Sequence, residues 1–415
     1  MASPHFSGRK ILTLLWVLAA APLTARASAN PPPALTNWQV ALDSFQKAGA
    51  LLGREKIEAA TRELTLAATN LPAPYAGMAA RFRDQFDRLP KPASARHRSP
   101  KELLALAEFC ATLHAYDAAI HLQSKAGRDA GLADDSTYAW RLWESGDLKS
   151  ALAEYQRRLA GEPVDMWKDH YRKQIKLIEQ RAASRTNAPL ALEVVQQHYL
   201  NGYEEKADPF GALRELTHVL PSANRPDAIA VHKLIIKLLT DLDDAAGRDA
   251  WEEQLLALCP NDAEVRGEVF LERGLRAYRR KELPEALTLY RKVCVEYPTS
   301  SAYGDAQYSI GYLLQEQQKY DEAVAEYSKL FSSSVNDYAA NPEDSDDFRN
   351  YRYRAAIRIS ECYEAKHDLP QALKYAELAR DQYKFLSYCK NCLRETQEKL
   401  THRIEQLQAA AKKPE

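Results

Sequence analysis

Two cysteines three residues apart are the feature of this sequence with the most obvious chemistry. Cys389 and Cys392 stand in YCKNCL, a spacing used for haem attachment, zinc ligation, thiol redox chemistry and local disulfides. Haem attachment needs a histidine where Leu393 stands. Zinc needs two further ligands, for which His367 and His402 are the nearest candidates, and a redox pair needs a preceding strand that the pattern lacks. Zinc, redox and plain thiols stay open, and we favour a disulfide that kinks or stops the helix.

Beyond this pair, few arrangements could carry catalysis. Four acidic residues lie between positions 343 and 347, but they lack EF-hand spacing and its glycine, so we expect a solvated loop. The ten histidines include no HExxH motif, and the sequence contains no GxxxxGK, GxGxxG or GxSxG motif. Single histidines such as His114, His121 and His232 lie on helical patterns and are expected to be ordinary helix residues. We therefore predict no catalytic residue, no metal site and no cofactor.

The first 29 residues have the three parts of a secretory signal: a basic pair, an apolar run at 11–21 and small residues at Ala27 and Ala29. We expect cleavage after Ala29 and an exported chain. An uncleaved membrane anchor is the alternative, although the run is short for spanning a bilayer. Because residues 1–29 hold three basic residues and no acidic one, cleavage changes the net charge from −1 to −4. That charge argues against nucleic-acid binding.

Small and aromatic residues recur on a fixed grid along the 415-residue chain. In the segment 304–331, Gly311 precedes Ala323 by twelve residues. Tyr320 precedes the same alanine by three residues, and Tyr327 follows it by four. This spacing is typical of two helices joined by a short turn, because small residues let the backbones approach where the helices cross. Three positions of this grid recur along the chain: a small residue on the first helix, a Tyr, Leu or Ile nine residues later, and an alanine three residues after that. The recurring sets are Ala48, Ile57 and Ala60; Ala107, Tyr116 and Ala119; Ala139, Leu148 and Ala151; Gly274, Leu283 and Ala286; and Ser360, Leu369 and Ala372.

The grid resembles the tetratricopeptide repeat, whose usual unit is 34 residues. The steps between successive alanines include 32, 37 and 49 residues, and the acidic insertion accounts for the longest. The resemblance implies an all-α fold: a right-handed α-solenoid of helix hairpins with a C-terminal capping helix. The predicted segments are a signal peptide (1–29), N-terminal hairpins (30–88), a proline- and basic-rich loop (89–100), a repeat pair (101–163), degenerate helical repeats (164–262), a C-terminal repeat array (263–380, with an acidic loop at 332–350) and a capping helix with tail (381–415).

One longer junction, at 295–330, has three residues more than the usual unit. It looks like the repeats of exported bacterial envelope proteins, such as the periplasmic coordinator associated with the Tol–Pal system and the lipoprotein of the barrel-assembly machine. The sequence departs from the latter in having no lipobox cysteine, and from the former in having no N-terminal coiled coil. The resemblance therefore implies an extracytoplasmic, periplasmic compartment and a class of protein, and it names no partner.

In tetratricopeptide repeats, a few off-grid positions of each first helix line the concave, partner-binding face. The matching positions here are Leu271, Leu275, Tyr278, Arg279, Asp305, Tyr308, Tyr312, Gln315, Arg354, Ile357, Glu361 and Glu364, with Trp140 and Trp143 in the earlier pair. Tyrosine, tryptophan and arginine dominate binding hot spots. Our predicted contacts are Tyr278, Arg279, Tyr308, Tyr312, Gln315 and Arg354, and the alternative for these residues is packing between neighbouring repeats.

The sequence thus predicts a non-catalytic, exported scaffold or adaptor that holds a protein or peptide partner of the cell envelope in its groove, without a cofactor. We expect no nucleic-acid partner and no integral membrane segment after cleavage. Two other functions stay open: a glycan-binding or enzymatic envelope protein with a site in 164–262, and a thiol-redox role for Cys389 and Cys392. The first is disfavoured because 164–262 reads as helical, for example at 227–242.

Overall fold

A computed structural model of the chain describes residues 35–89, 98–127, 136–184, 186–200, 208–332, 350–383, 385, 387 and 389–412. The predicted signal peptide lies outside the described residues, as do 90–97 of the proline- and basic-rich loop and 333–349 of the acidic loop. The described residues form two compact units, one within Leu23–Leu258 and one that begins at Cys259. They are called the N-terminal and the C-terminal unit below.

The described part of the N-terminal unit is entirely helical apart from its turns. Its helices are α1 (Leu35–Gly53), α2 (Ile57–Asn70), α3 (Tyr75–Asp87), α4 (Pro100–Thr112), α5 (Tyr116–Ala126), α6 (Ser136–Ser145), α7 (Leu148–Gly161), α8 (Asp165–Ser184), α9 (Ala188–Val194), a π-helix (Val195–Leu200), α10 (Pro209–Val219), a 3-10 turn (Leu220–Ser222), α11 (Arg225–Asp241) and α12 (Ala245–Leu258). Consecutive helices joined by short turns pack against each other, for example α1 against α2 and α4 against α5. One hydrogen bond joins residues that are far apart in the sequence of this unit: the hydroxyl of Tyr75 donates to buried Asp244 at 2.7 Å.

The C-terminal unit repeats one supersecondary unit three times and ends in a single helix. Its helices are α13 (Ala263–Arg279), α14 (Leu283–Glu296), α15 (Ala302–Glu316), α16 (Tyr320–Ser332), α17 (Tyr351–Ala365), α18 (Leu369–Asp381) and α19 (Lys390–Ala411). The first helices α13, α15 and α17 contact one another in turn, as do the successive hairpins. Such nearest-neighbour stacking is how repeat arrays bury faces that no single hairpin could bury.

Seven hairpins of the described chain use the same turn. In each, the residue two positions before the second helix has a positive φ: Glu55, His114, Gly146, Asp243, Lys281, Gln318 and His367. A left-handed residue after a helix lets the following amides return to carbonyls of its last turn. In the hairpin of α15 and α16, for example, the Lys319 amide donates to the Leu314 carbonyl at 2.9 Å. One of the seven residues is a glycine, so composition alone gives little sign of this turn.

The grid residues lie where the two helices of each hairpin meet. The grid alanines are fully buried and lie three residues after the start of each second helix: Ala60, Ala119, Ala151, Ala286, Ala323 and Ala372. Where the first helix carries glycine, a tyrosine ring of the second helix covers it. A Cβ added to Gly311 would lie 2.7 Å from the ring of Tyr327, and one added to Gly274 would lie 2.5 Å from Tyr290. Glycine and tyrosine at these spacings therefore allow the two helices of a hairpin to pack closely.

The end of the chain differs from the sequence prediction in one respect. We expected the capping helix and tail to occupy 381–415, but α18 ends at Asp381 and α19 begins only at Lys390. Cys389 is the N-cap at the start of α19. The new helix still covers the last repeat, since Leu400, Ile404 and Leu407 pack against the buried alanines of α18. The predicted all-α solenoid class of stacked hairpins with a capping helix is thereby confirmed.

Among the described residues, no helix combines the length and the apolar character that crossing a bilayer requires.

Candidate functional site

A row of tyrosines and arginines crosses the first helices of the C-terminal unit. It consists of Tyr278 on α13, Tyr308 and Tyr312 on α15, and Arg354 and Arg358 on α17, and all five side chains are half-buried. We call it the tyrosine–arginine row. Tyr308 and Tyr312 share one face of α15, and Arg354 and Arg358 share one face of α17, because positions four apart lie on the same side of a helix. Contacts between neighbouring first helices then bring these faces together. The row thus spans three successive repeats.

The rings of Tyr278 and Tyr312 make the contact between α13 and α15. Their centroids are 6.2 Å apart with an edge-to-face geometry, which is a favourable arrangement for aromatic pairs. The Tyr278 hydroxyl donates to the exposed carboxylate of Glu316 at 3.3 Å. Partial burial, followed by the contacts with Glu316 and Tyr278, raises the pKa of Tyr312 well above its ordinary value. The pair is therefore neutral at physiological pH and offers ring faces and hydroxyls.

Arginines of α17 cover the rings of α15. The Arg354 guanidinium lies 4.0 Å from the centroid of the Tyr308 ring, within cation–π range. Arg358 donates to the Tyr308 hydroxyl at 2.9 Å and to Glu361 at 2.8 Å, and it lies 5.3 Å from the Tyr312 centroid. Arg358 thus links both tyrosines of α15, although we did not predict it as a contact residue. Its position one turn after Arg354 was the available signal.

The predicted contact residues Gln315 and Arg279 differ in their surroundings: the side chain of Gln315 is hydrogen-bonded within the protein, whereas that of Arg279 is exposed. The Tyr327 hydroxyl donates to the Gln315 amide oxygen at 3.0 Å, and the amide nitrogen donates to Glu361 at 3.3 Å. Both ends of Gln315 therefore serve the packing of α15 against its neighbours. Arg279 is the last residue of α13 and is exposed, so its guanidinium can reach a ligand.

Two residues carried over from the repeat pattern are unsuitable as contacts. Trp143 has no exposed surface, and Leu271 is 8 % exposed. The Trp143 indole nitrogen donates to the Tyr199 hydroxyl at 3.2 Å, and its ring lies 4.2 Å from that of His198. The suggestion that Trp143 meets a partner is therefore wrong. Trp140 is half-buried and packs edge-on against Tyr116, with centroids 5.4 Å apart.

Trp143 borders a buried polar cluster of the N-terminal unit that the sequence did not predict. Glu144 is its centre, with a side chain 1 % exposed. Its carboxylate lies 3.0 Å from the His198 ring nitrogen, 3.0 Å from the Arg214 guanidinium and 3.4 Å from the Tyr199 hydroxyl. We call these four residues the Glu144 cluster. It joins α6, the π-helix and α10.

A second ion pair flanks the Glu144 cluster. Arg181 of α8 donates to Glu215 at 2.6 Å and to the carbonyl of Trp143 near the end of α6. Burial alone would raise the pKa of Glu144. The hydrogen bond with His198 and the charges of Arg214 and Arg181 outweigh burial, so the pKa stays below its ordinary value. The Glu144 carboxylate is therefore ionised, and its contacts hold the surrounding helices in place.

The π-helix Val195–Leu200 lies within 164–262, the stretch for which the sequence predicts degenerate helical repeats. Its wider turn carries buried His198 and Tyr199 toward Glu144. Such insertions interrupt α-helices and are found at functional sites more often than elsewhere. Here the insertion serves a core contact, since the Tyr199 ring also covers Gly211, whose added Cβ would lie 2.4 Å from it.

The cysteine pair lies at the start of the capping helix. A disulfide joins Cys389 and Cys392, whose Cα atoms are 5.2 Å apart. Sulfurs bonded in this way are not available as zinc ligands. Among the described residues, no group of three or more histidine, cysteine, aspartate or glutamate side chains is placed to hold a metal ion.

Comparison with known proteins gives weak structural matches. No protein-family model matches the chain, and no curated protein matches it. A tetratricopeptide repeat protein from Parabacteroides merdae matches with 14 % identity and a TM-score of 0.29, over 74 % of this chain and 100 % of that one. The TPR domain of P58(IPK) matches with 13 % identity and a TM-score of 0.28, over 90 % and 99 %. Yeast Tom70 matches with 13 % identity and a TM-score of 0.25, over 90 % and 97 %. These similarities transfer no partner and no function to the chain.

Proposed function

We propose that the chain is a non-catalytic scaffold of the tetratricopeptide repeat type that holds a protein or peptide segment on the first-helix face of its C-terminal unit. The observation that carries this proposal is the tyrosine–arginine row, which runs without interruption over α13, α15 and α17. Its rings and guanidinium groups are half-exposed, whereas the grid tyrosines Tyr290 and Tyr327 are fully buried.

The chemistry of the row suits a polypeptide partner. Tyr278 and Tyr312 offer flat ring surface for apolar side chains, and their hydroxyls are held in place by Glu316. Arg279 and Arg354 add cations that can donate to carboxylates or to backbone carbonyls. Because the rings and Arg358 are already ordered by contacts within the protein, a ligand would meet a rigid surface, which lowers the entropy cost of binding.

The compartment of this scaffold forms part of the same proposal. The secretory pattern of residues 1–29 and the long repeat junction at 295–330 support export to the bacterial periplasm and a role in envelope assembly or maintenance. The predicted contacts Tyr278, Arg279, Tyr308, Tyr312 and Arg354 belong to the proposed binding face, and Gln315 supports it from behind through Tyr327 and Glu361.

Site-specific photo-crosslinking tests which face meets the partner. A photoreactive residue replaces Arg279, at the exposed end of α13, or Lys374, which is exposed on the second helix α18. We expect one polypeptide of a bacterial envelope extract to be crosslinked from position 279 and not from position 374, because only the former borders the row. Equal crosslinking from both positions, or none from position 279, would contradict the proposal.

A further inference from the structure

The disulfide between Cys389 and Cys392 has a position that the stability of the fold does not explain. Both cysteines belong to the first turn of α19, so the bond joins no two helices. The helix is held on the C-terminal unit by other contacts: the apolar residues Leu400, Ile404 and Leu407, and an ion pair of 2.6 Å between Arg403 and Glu364. A cross-link that closes so short a loop also restricts the unfolded chain less than a long one does.

The surroundings of the pair stabilise a thiolate. Cys389 is the N-cap of a 22-residue helix, and its sulfur accepts the Cys392 backbone amide at 3.1 Å. The first turn contains Lys390 and no acidic residue, and the next turn carries Arg394, which lies 3.8 Å from Glu398, together with Glu395. Amides at a helix N-terminus and nearby cations favour the charged sulfur. Both cysteines are exposed, so a partner thiol can reach the bond.

Other cysteines of the chain lack these properties. Cys110, Cys259 and Cys362 are buried and Cys294 is half-buried. Burial, as the main cause, raises the pKa of the Cys110, Cys362 and Cys294 thiols to about 12. They are therefore almost fully protonated and slow to react at neutral pH, which leaves Cys389 and Cys392 as the accessible pair.

We propose that Cys389 and Cys392 form a redox-active pair that exchanges its disulfide with a dithiol of a partner protein. A thiolate of the partner attacks the Cys389 sulfur, the bond to Cys392 breaks, and Cys392 leaves as a thiolate. The partner's second thiolate then attacks the partner's first sulfur, which is bonded to Cys389 in the mixed disulfide. Cys389 leaves as a thiolate. The partner ends as a disulfide and this chain as a dithiol, so two electrons and two protons pass from the partner to this chain.

The test uses the full-length protein, reduced and freed of reductant, with oxidised glutathione as the probe. Cys392→Ser keeps the N-cap sulfur, and Cys389→Ser is its matched control within the same turn. At neutral pH we expect Cys392→Ser to form a glutathione mixed disulfide about tenfold faster than Cys389→Ser, because its thiolate fraction is larger. Mass spectrometry of the intact protein follows the reaction, and circular dichroism checks that both variants keep their helices.

A second readout uses the unmodified pair. In an excess of reduced glutathione, a redox-active pair is reduced, and thiol alkylation then labels both cysteines. Equal rates for the two serine variants would overturn the proposal, and so would a wild-type disulfide that stays oxidised in that excess. Neither readout involves the tyrosine–arginine row, so the two proposals stand or fail separately.

Discussion

Replacing Glu144 by alanine is expected to lower the unfolding free energy of the N-terminal unit by about 3–5 kcal/mol, the range observed when one partner of a buried ion pair is removed. The carboxylate has a 1 % exposed side chain and holds donors from two elements, His198 and Arg214. Without it, buried His198 loses its carboxylate partner, Arg214 keeps Glu215 at 3.8 Å, and the methylene groups of the Glu144 side chain leave a void. Denaturant unfolding monitored by tryptophan fluorescence measures the change.

The matched control for this variant is Glu179→Ala on α8, where the glutamate is exposed. Surface substitutions of this kind stay within about 0.5 kcal/mol. A loss at Glu144 no larger than the loss at Glu179 would show that the cluster does not hold α6, the π-helix and α10 together.

The effect of Glu144 also has a defined pH dependence. Because the pKa of Glu144 is lowered in the folded protein, the folded state favours the ionised form more than the unfolded chain does. The resulting stability is complete above the ordinary value of 4.5 and is lost as the pH falls through the lower, folded pKa. The stability difference between wild type and Glu144→Gln should therefore be constant near neutrality and shrink in acid. A difference that grows on acidification would contradict this assignment.

Gly311→Ala is expected to destabilise the C-terminal unit by about 1–3 kcal/mol, the usual cost of overpacking a core. The added Cβ would lie 2.7 Å from the Tyr327 ring. That ring cannot move aside easily, because it is fully buried, packs on Tyr308 at 5.5 Å and is hydrogen-bonded to Gln315. The overpacking should outweigh the higher helix propensity of alanine.

Gly77→Ala on α3 provides the contrast, since the nearest atom to its added Cβ is the end of the Arg81 side chain at 3.7 Å. We expect that variant to be neutral or stabilised by up to about 1 kcal/mol. Thermal unfolding of both variants separates the two cases. Stabilisation by both substitutions would mean that the grid glycines do not mark a close helix crossing.

The sequence predicted the hairpins well because their determinants are local. Gly311, Ala323 and Tyr327 lie within one pair of helices, and the size of each is limited by the crossing of those two helices alone. The left-handed turn residues were not predicted, because glutamine and histidine, the residue types of Gln318 and His367, do not favour turns. Their conformation follows from the helix end that precedes them.

The Glu144 cluster could not be predicted because its members come from separate elements. Nothing in the local sequence of Glu144 distinguishes it from an exposed glutamate, and its partners His198 and Arg214 are 54 and 70 residues away. The tyrosine–arginine row lies between these extremes. Helical spacing placed Tyr308, Tyr312 and Arg354 on first helices, but the role of Arg358 depends on how α15 packs against α17.

The affinity of the crosslinked polypeptide for defined variants tests the proposed binding face most directly. Tyr278→Ala with Tyr312→Ala removes two half-buried rings from the row, and Tyr375→Ala removes a half-buried ring from the second helix α18 as a control. We expect the double variant to weaken binding at least about 30-fold, since hot-spot rings contribute about 2 kcal/mol or more. The control should bind as the wild type does. Unchanged affinity of a folded double variant would contradict the proposal that this face holds the partner.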